Sequence, residues 1–105
     1  DYFLSIHRNS SPYDNQYTGV ESLVYSKNGI ARTIAENINR ELTRVGFVNQ
    51  GIQERPNLAV LRRTDMPAVL VEVGFINTDK DNIRFDTQFQ EIARAIANGL
   101  LKSIS

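Results

Sequence analysis

Two side chains stand out for the chemistry they could perform. His7 is the only histidine of the 105 residues. It closes an aromatic and branched run, Tyr2-Phe3-Leu4-Ser5-Ile6, just ahead of a polar stretch. Imidazole titrates near neutrality and is a common zinc ligand, which makes His7 a candidate metal ligand. The competing reading is a histidine whose ring nitrogens are satisfied by loop backbone. Glu72 interrupts the apolar run Ala68-Val69-Leu70-Val71-Glu72-Val73. A carboxylate in a buried strand is costly unless it is paired, metal-associated or tuned for proton transfer, so Glu72 is a candidate general base or acid. The competing reading pairs it with Arg62 or Arg63.

Weaker signals surround these two. Asn9 and Asn77 follow the two candidate strands and could donate to an amide or sugar, although asparagines that shape turns are commoner. Arg62 and Arg63 could grip a carboxylate, or be plain surface charge. Glu21 could point into the same cleft, with an exposed strand position as the plainer alternative. Tyr13, Tyr17 and Tyr25 could offer stacking surfaces or simply pack.

The elements that must position these residues read as α/β. Residues 1–7 form a strand with no lead-in, which predicts that earlier strands of the domain lie outside these residues. Residues 8–18 are rich in Asn, Ser, Pro and Asp and read as a loop at the rim of a site. Val20 to Tyr25 alternates as a half-buried strand does. Ser26 is a candidate cap for a helix carrying Ile30, Ile34, Ile38, Leu42 and Val45 at helical spacing, with Gly46 as its end. Asn49 to Asn57 has no apolar periodicity and reads as a loop, and Leu58 to Leu61 as a short strand. The near-continuous apolar run from Ala68 to Val73 suits a central strand covered on both faces. Asn77 to Asp86 reads as a turn or one helical turn. Thr87 could then cap a last helix with Phe89, Ile92, Ile96, Leu100 and Ile104 on one face. The expected architecture is a mixed, mainly parallel sheet flanked by helices, with right-handed crossovers, in a single domain spanning residues 1–105.

Composition narrows the function classes. Hydrophobic residues make up 41% and charged residues 23%, a globular profile that predicts a packed core. Twelve basic and twelve acidic residues cancel, which disfavours nucleic acid or an anionic membrane as partner. Cysteine is absent, so no thiolate chemistry and no disulfide is available.

The phrases around the two lead residues carry a resemblance. Phe3-Leu4-Ser5-Ile6-His7-Arg8-Asn9 and Met66-Pro67-Ala68-Val69-Leu70-Val71-Glu72-Val73-Gly74-Phe75-Ile76-Asn77 resemble two blocks of the amidase_3 family of N-acetylmuramoyl-L-alanine amidases. Gly19-Val20-Glu21 and Leu58-Ala59-Val60-Leu61-Arg62 fall where that family has further strands, so the likeness runs over essentially the whole chain. It implies a zinc-exopeptidase-like fold and a zinc hydrolase that cuts the amide between N-acetylmuramic acid and L-alanine. The partner would be peptidoglycan, and the location the cell wall, periplasm or exterior of a bacterium, or a phage origin. Carried over residue by residue, His7 would be a zinc ligand, Glu72 the catalytic carboxylate, and Asn9 and Arg62 substrate-binding walls. The family's upstream Gly-His-Gly-Gly block and following glutamate, which supply its other ligands, do not occur here, so the full zinc ligand set is not in this chain and these residues alone should be inactive. Arg8 stands where the family often has alanine, which predicts an altered surrounding beside the metal. Two other readings follow: a peptidoglycan-binding or regulatory domain without catalysis, and a zinc exopeptidase of related fold.

Overall fold

The computed structural model describes residues 1–105. Its elements are β1 (Phe3–Asn9), β2 (Val20–Val24), α1 (Ile30–Val45), β3 (Asn49–Glu54), α2 (Ala59–Arg62), β4 (Ala68–Phe75), α3 (Asp79–Thr87) and α4 (Phe89–Ile104). The strands form one sheet in the order β1-β4-β2-β3. β1 runs parallel to β4 and β2 parallel to β3, while β2 and β4 are antiparallel. The mixed, mainly parallel sheet expected from the sequence is therefore the observed one, with β4 paired on both sides as its apolar run requires.

The core lies on one face of this sheet. Val69, Val71 and Val73 of β4 and Val20 and Val24 of β2 pack against Ile34, Ile38 and Leu42 of α1 and Ile92, Ala95 and Ile96 of α4, all buried. These helical residues repeat at three- and four-residue spacing, so each helix presents one apolar stripe. Gly99 lets the two helices meet closely, because a Cβ there would lie 2.6 Å from the Ile38 Cα. Glu41 bridges the seam's rim, accepting from Arg44 and Lys102 at 3.0 Å each. The opposite face is covered at one end only, where Leu61 of α2 packs on Ala68 and Leu70.

Several local expectations are corrected. Asn49 to Glu54, read as a loop, is the edge strand β3. Its backbone is held by Asn39 of α1, which donates to the Gly51 carbonyl at 2.9 Å and to Asn49 Oδ1 at 3.0 Å. A strand anchored by a buried amide needs no apolar alternation. Leu58 to Leu61, read as a strand, belongs to the helical turn α2 and its flank; four apolar residues fit either conformation. Asp79 to Thr87, read as a turn, is a nine-residue helix. Thr87 closes that helix instead of opening the next, donating its hydroxyl back to the Ile83 carbonyl at 2.7 Å. Ser26 does not cap α1, whose N-cap is Gly29, whereas Gly46 does end it, with φ 125° and its N–H on the Leu42 and Thr43 carbonyls.

Candidate functional site

The partly open face of the sheet carries a row of polar side chains. His7 is the register partner of Glu72 across the β1–β4 pair, and Glu21 is the partner of Glu72 across the β2–β4 pair. Partners in register project from the same face, and neighbouring strands lie about 4.8 Å apart, so His7, Glu72 and Glu21 line up on adjacent strands. Glu72 and Glu21 each sit between two buried neighbours, Val71 and Val73 for the one and Val20 and Ser22 for the other. The burial of Val71 and Val73 therefore fixes the direction of Glu72.

The environment of Glu72 is unusual. Its Oε2 is buried and has no hydrogen-bond partner. Burial raises the carboxyl pKa above its ordinary value; His7 opposes that shift and Glu21 adds to it. The anticipated alternative of a salt bridge to Arg62 or Arg63 is absent, since the chain's ion pairs are Arg32–Glu36, Arg44–Glu41 and Lys102–Glu41. His7 is exposed. One ring nitrogen, Nε2, is hydrogen-bonded to Ser5 Oγ at 2.9 Å, a side chain two residues back on the same face. That contact gives the ring one orientation and leaves Nδ1 without a hydrogen-bond partner.

The end of β4 is shaped by a bulge. The register with β1 shifts between His7, opposite Glu72, and Asn9, opposite Phe75. Gly74 takes up the extra residue at φ 75°, where a Cβ would lie 3.0 Å from the Asp81 Cβ. Phe75 is thereby turned toward Tyr17, ring centroids 5.9 Å apart. These two rings, with Asn9, Glu21 and Gln50, line a cleft of about 300 Å³. The Asn9 side chain accepts from the Ser10 N–H at 2.8 Å.

Asp81 and Thr78, which nothing in the sequence marks, hold this rim together with Asn77. Asp81 is fully buried and accepts from Thr18 Oγ1 at 2.7 Å, the Gly19 N–H at 3.0 Å and the Phe75 N–H at 2.8 Å. It ties the loop ahead of β2 to the end of β4, one strand on either side of the cleft. Asn77 is consumed in the same way, donating to the Ser11 carbonyl and accepting from the Ser11 N–H. Its sequence signal is that of a turn asparagine. Thr78 donates to the Tyr17 carbonyl.

Two positions lie elsewhere. Arg8, expected beside the metal ligand, points through the sheet to the other face, where it donates to Asn82 Oδ1 at 2.8 Å and stacks 4.2 Å over the Phe85 ring. Strand alternation sends it there, one residue out of phase with His7. Arg62 is exposed on α2 and lines a different groove, about 550 Å³, with Tyr25, Met66 and Pro67 at the opposite end of β4. The structure therefore brings together His7, Glu72, Glu21 and Asn9, and not Arg62.

As a metal centre the row is incomplete. No three His, Asp or Glu side chains converge closely enough to enclose an ion. The His7 imidazole has the chemistry of a metal ligand, and the partnerless Glu72 oxygen is free to exchange a proton.

Comparison with known proteins adds to this geometry. A family model described as N-acetylmuramoyl-L-alanine amidase, Amidase_3, matches residues 1–102. The N-acetylmuramoyl-L-alanine amidase CwlM of Bacillus licheniformis is 38% identical over 109 residues, covering 100% of this chain and 41% of its own length. The sporulation-specific N-acetylmuramoyl-L-alanine amidase of Bacillus subtilis is 39% identical, covering 95% of this chain and 39% of its own length. Among solved structures, the amidase AmiC2 of Nostoc punctiforme superposes with a TM-score of 0.84 at 31% identity, over 96% of this chain and 56% of that one. The chain thus spans about two-fifths of these curated relatives and just over half of that solved structure.

Proposed function

Because the chain belongs to the Amidase_3 family of N-acetylmuramoyl-L-alanine amidases, we propose that it is part of a zinc-dependent hydrolase cutting the amide between N-acetylmuramic acid and L-alanine in peptidoglycan. The observation that carries the reading is Glu72: a half-buried carboxylate with a partnerless oxygen, one strand from the only imidazole. In this reading His7 is one zinc ligand, Glu72 the catalytic carboxylate, and Asn9 a wall of the substrate cleft. Zinc, when bound, supplies Lewis-acid polarisation of the scissile carbonyl and a lowered pKa for water.

The chain's own residues then divide the proton work. Glu72, as carboxylate, accepts the proton of the attacking water and returns it to the alanine nitrogen as the C–N bond breaks. A carboxyl whose pKa is raised by burial is better matched to that return step than an ordinary glutamate. Ser5 holds the His7 ring in one orientation. Asp81 fixes the two backbone segments that bound the cleft. Arg62, at the far end of β4, would meet only a distant part of an extended substrate. The site of action would be the cell wall, reached from the periplasm or the exterior; no helix is long and apolar enough to cross a membrane.

The test is release of free L-alanine amino groups from purified cell wall by the intact protein, with and without chelator. Hydrolysis abolished by chelation and restored by zinc is the expected result. Hydrolysis that survives chelation overturns it. The incomplete ligand row favours one second reading, a wall-binding domain without catalysis. That reading predicts retention on cell wall with no amide release by the intact protein.

A further inference from the structure

The polar row does not end at Glu72. Glu21 lies directly opposite it on β2, half-buried, and lines the cleft that Tyr17 and Phe75 wall. Like charges directly opposed across antiparallel strands are unfavourable. His7 lies on the Glu72 side of the pair, and no cation is paired with Glu21. Glu21 joins none of the ion pairs. Arg8 is on the other face, and Arg62 lines the groove at the far end. Gln50, an amide donor in the same cleft, spends its Nε2 on the Thr18 carbonyl at 2.7 Å. An uncompensated carboxylate retained on the wall of a cleft is the kind of local conflict that a site, and not folding, accounts for.

The chemistry of the occupant follows from the walls. The Glu21 carboxylate repels an anion and welcomes an N–H or O–H donor, and the Tyr17–Phe75 rings offer an apolar wall beside it. We propose that Glu21 is a substrate-binding residue that accepts a hydrogen bond from an N–H of the substrate's peptide arm, seating a neutral amide in the cleft and rejecting a free carboxylate there. The proposal rests on the reading of this face as the place where a peptidoglycan amide is held. It adds a determinant of which peptide ends are accepted.

Binding calorimetry tests it without requiring turnover. The ligands are N-acetylmuramoyl-L-alanine with its C-terminus either amidated or free, and the proteins are intact Glu72→Gln and Glu72→Gln/Glu21→Ala, with circular dichroism confirming that both are folded. A hydrogen bond to a charged acceptor is worth about tenfold in affinity or more. The amidated ligand should bind Glu72→Gln about tenfold more tightly than the free acid, and adding Glu21→Ala should remove that preference by weakening the amide. An unchanged affinity for the amidated ligand, or a preference that persists without Glu21, overturns the proposal. Wild-type protein that fails to hydrolyse the amide while the Glu21 effect persists supports this proposal and counts against the hydrolase reading instead.

Discussion

On one face of β4, Val69, Val71 and Val73 are sealed beneath α1 and α4. On the other, Leu70 joins a small cluster with Ala68 and Leu61 of the short α2, and Glu72 stands between His7 and Glu21 with an oxygen left without a partner. The same eight-residue strand thus serves two ends. Its inward side chains bury apolar area and carry stability, while Glu72 on the outward side holds charge in a place where folding alone would put none. Chemistry is positioned here by residues that have no part in it: fixing the valines under the helices leaves Glu72 no other direction to face.

Substitutions on the two faces should therefore differ in kind. The largest stability loss is expected on the covered face. Ile38→Ala opens a cavity at the α1–α4 seam and should cost about 2–5 kcal/mol in denaturant unfolding. A loss under about 1 kcal/mol would mean that this face is not where stability resides. Asp81→Ala leaves the Gly19 and Phe75 N–H groups and the Thr18 hydroxyl without their acceptor. It should cost about 3 kcal/mol, and it should also impair any ligand binding in the cleft it borders. Gly99→Ala forces α4 off Ile38 and should cost about 1–3 kcal/mol while leaving the open face unaltered.

The smallest effect is a pH dependence belonging to the open face. Burial holds the folded Glu72 pKa above that of the unfolded chain. Between those two values the folded state keeps a proton that the unfolded state has released, so stability from this group falls as pH rises through the window. Wild-type protein should lose melting temperature relative to Glu72→Gln as pH climbs from about 4 toward neutrality. Parallel melting curves for the two proteins would remove the case for a strained carboxylate.

Much of this arrangement is legible in the residues. The run from Ala68 to Val73 and the stripes of α1 and α4 follow from burial on one side, which leaves a clear period. His7 and Glu72 stand out because their types conflict with their strand positions. What is obscure has physical reasons. β3 is tied by the Asn39 amide, so it shows no alternation. α3 is largely polar, with Asp81 facing inward as a hydrogen-bond acceptor, a role that carries no sequence mark. Arg8 stacks on Phe85 because alternation carries it through the sheet, which adjacency to His7 in the chain conceals. Glu21 becomes informative only once the antiparallel register sets it against Glu72.

The most direct measurement takes hydrolysis and melting temperature from one preparation of the intact Glu72→Gln protein. Release of L-alanine ends from cell wall should fall by about 10²–10⁴-fold, while melting at pH 7 should be equal to or higher than wild type. Hydrolysis that persists, or that falls together with a lower melting temperature, would contradict the role of Glu72 as the catalytic carboxylate.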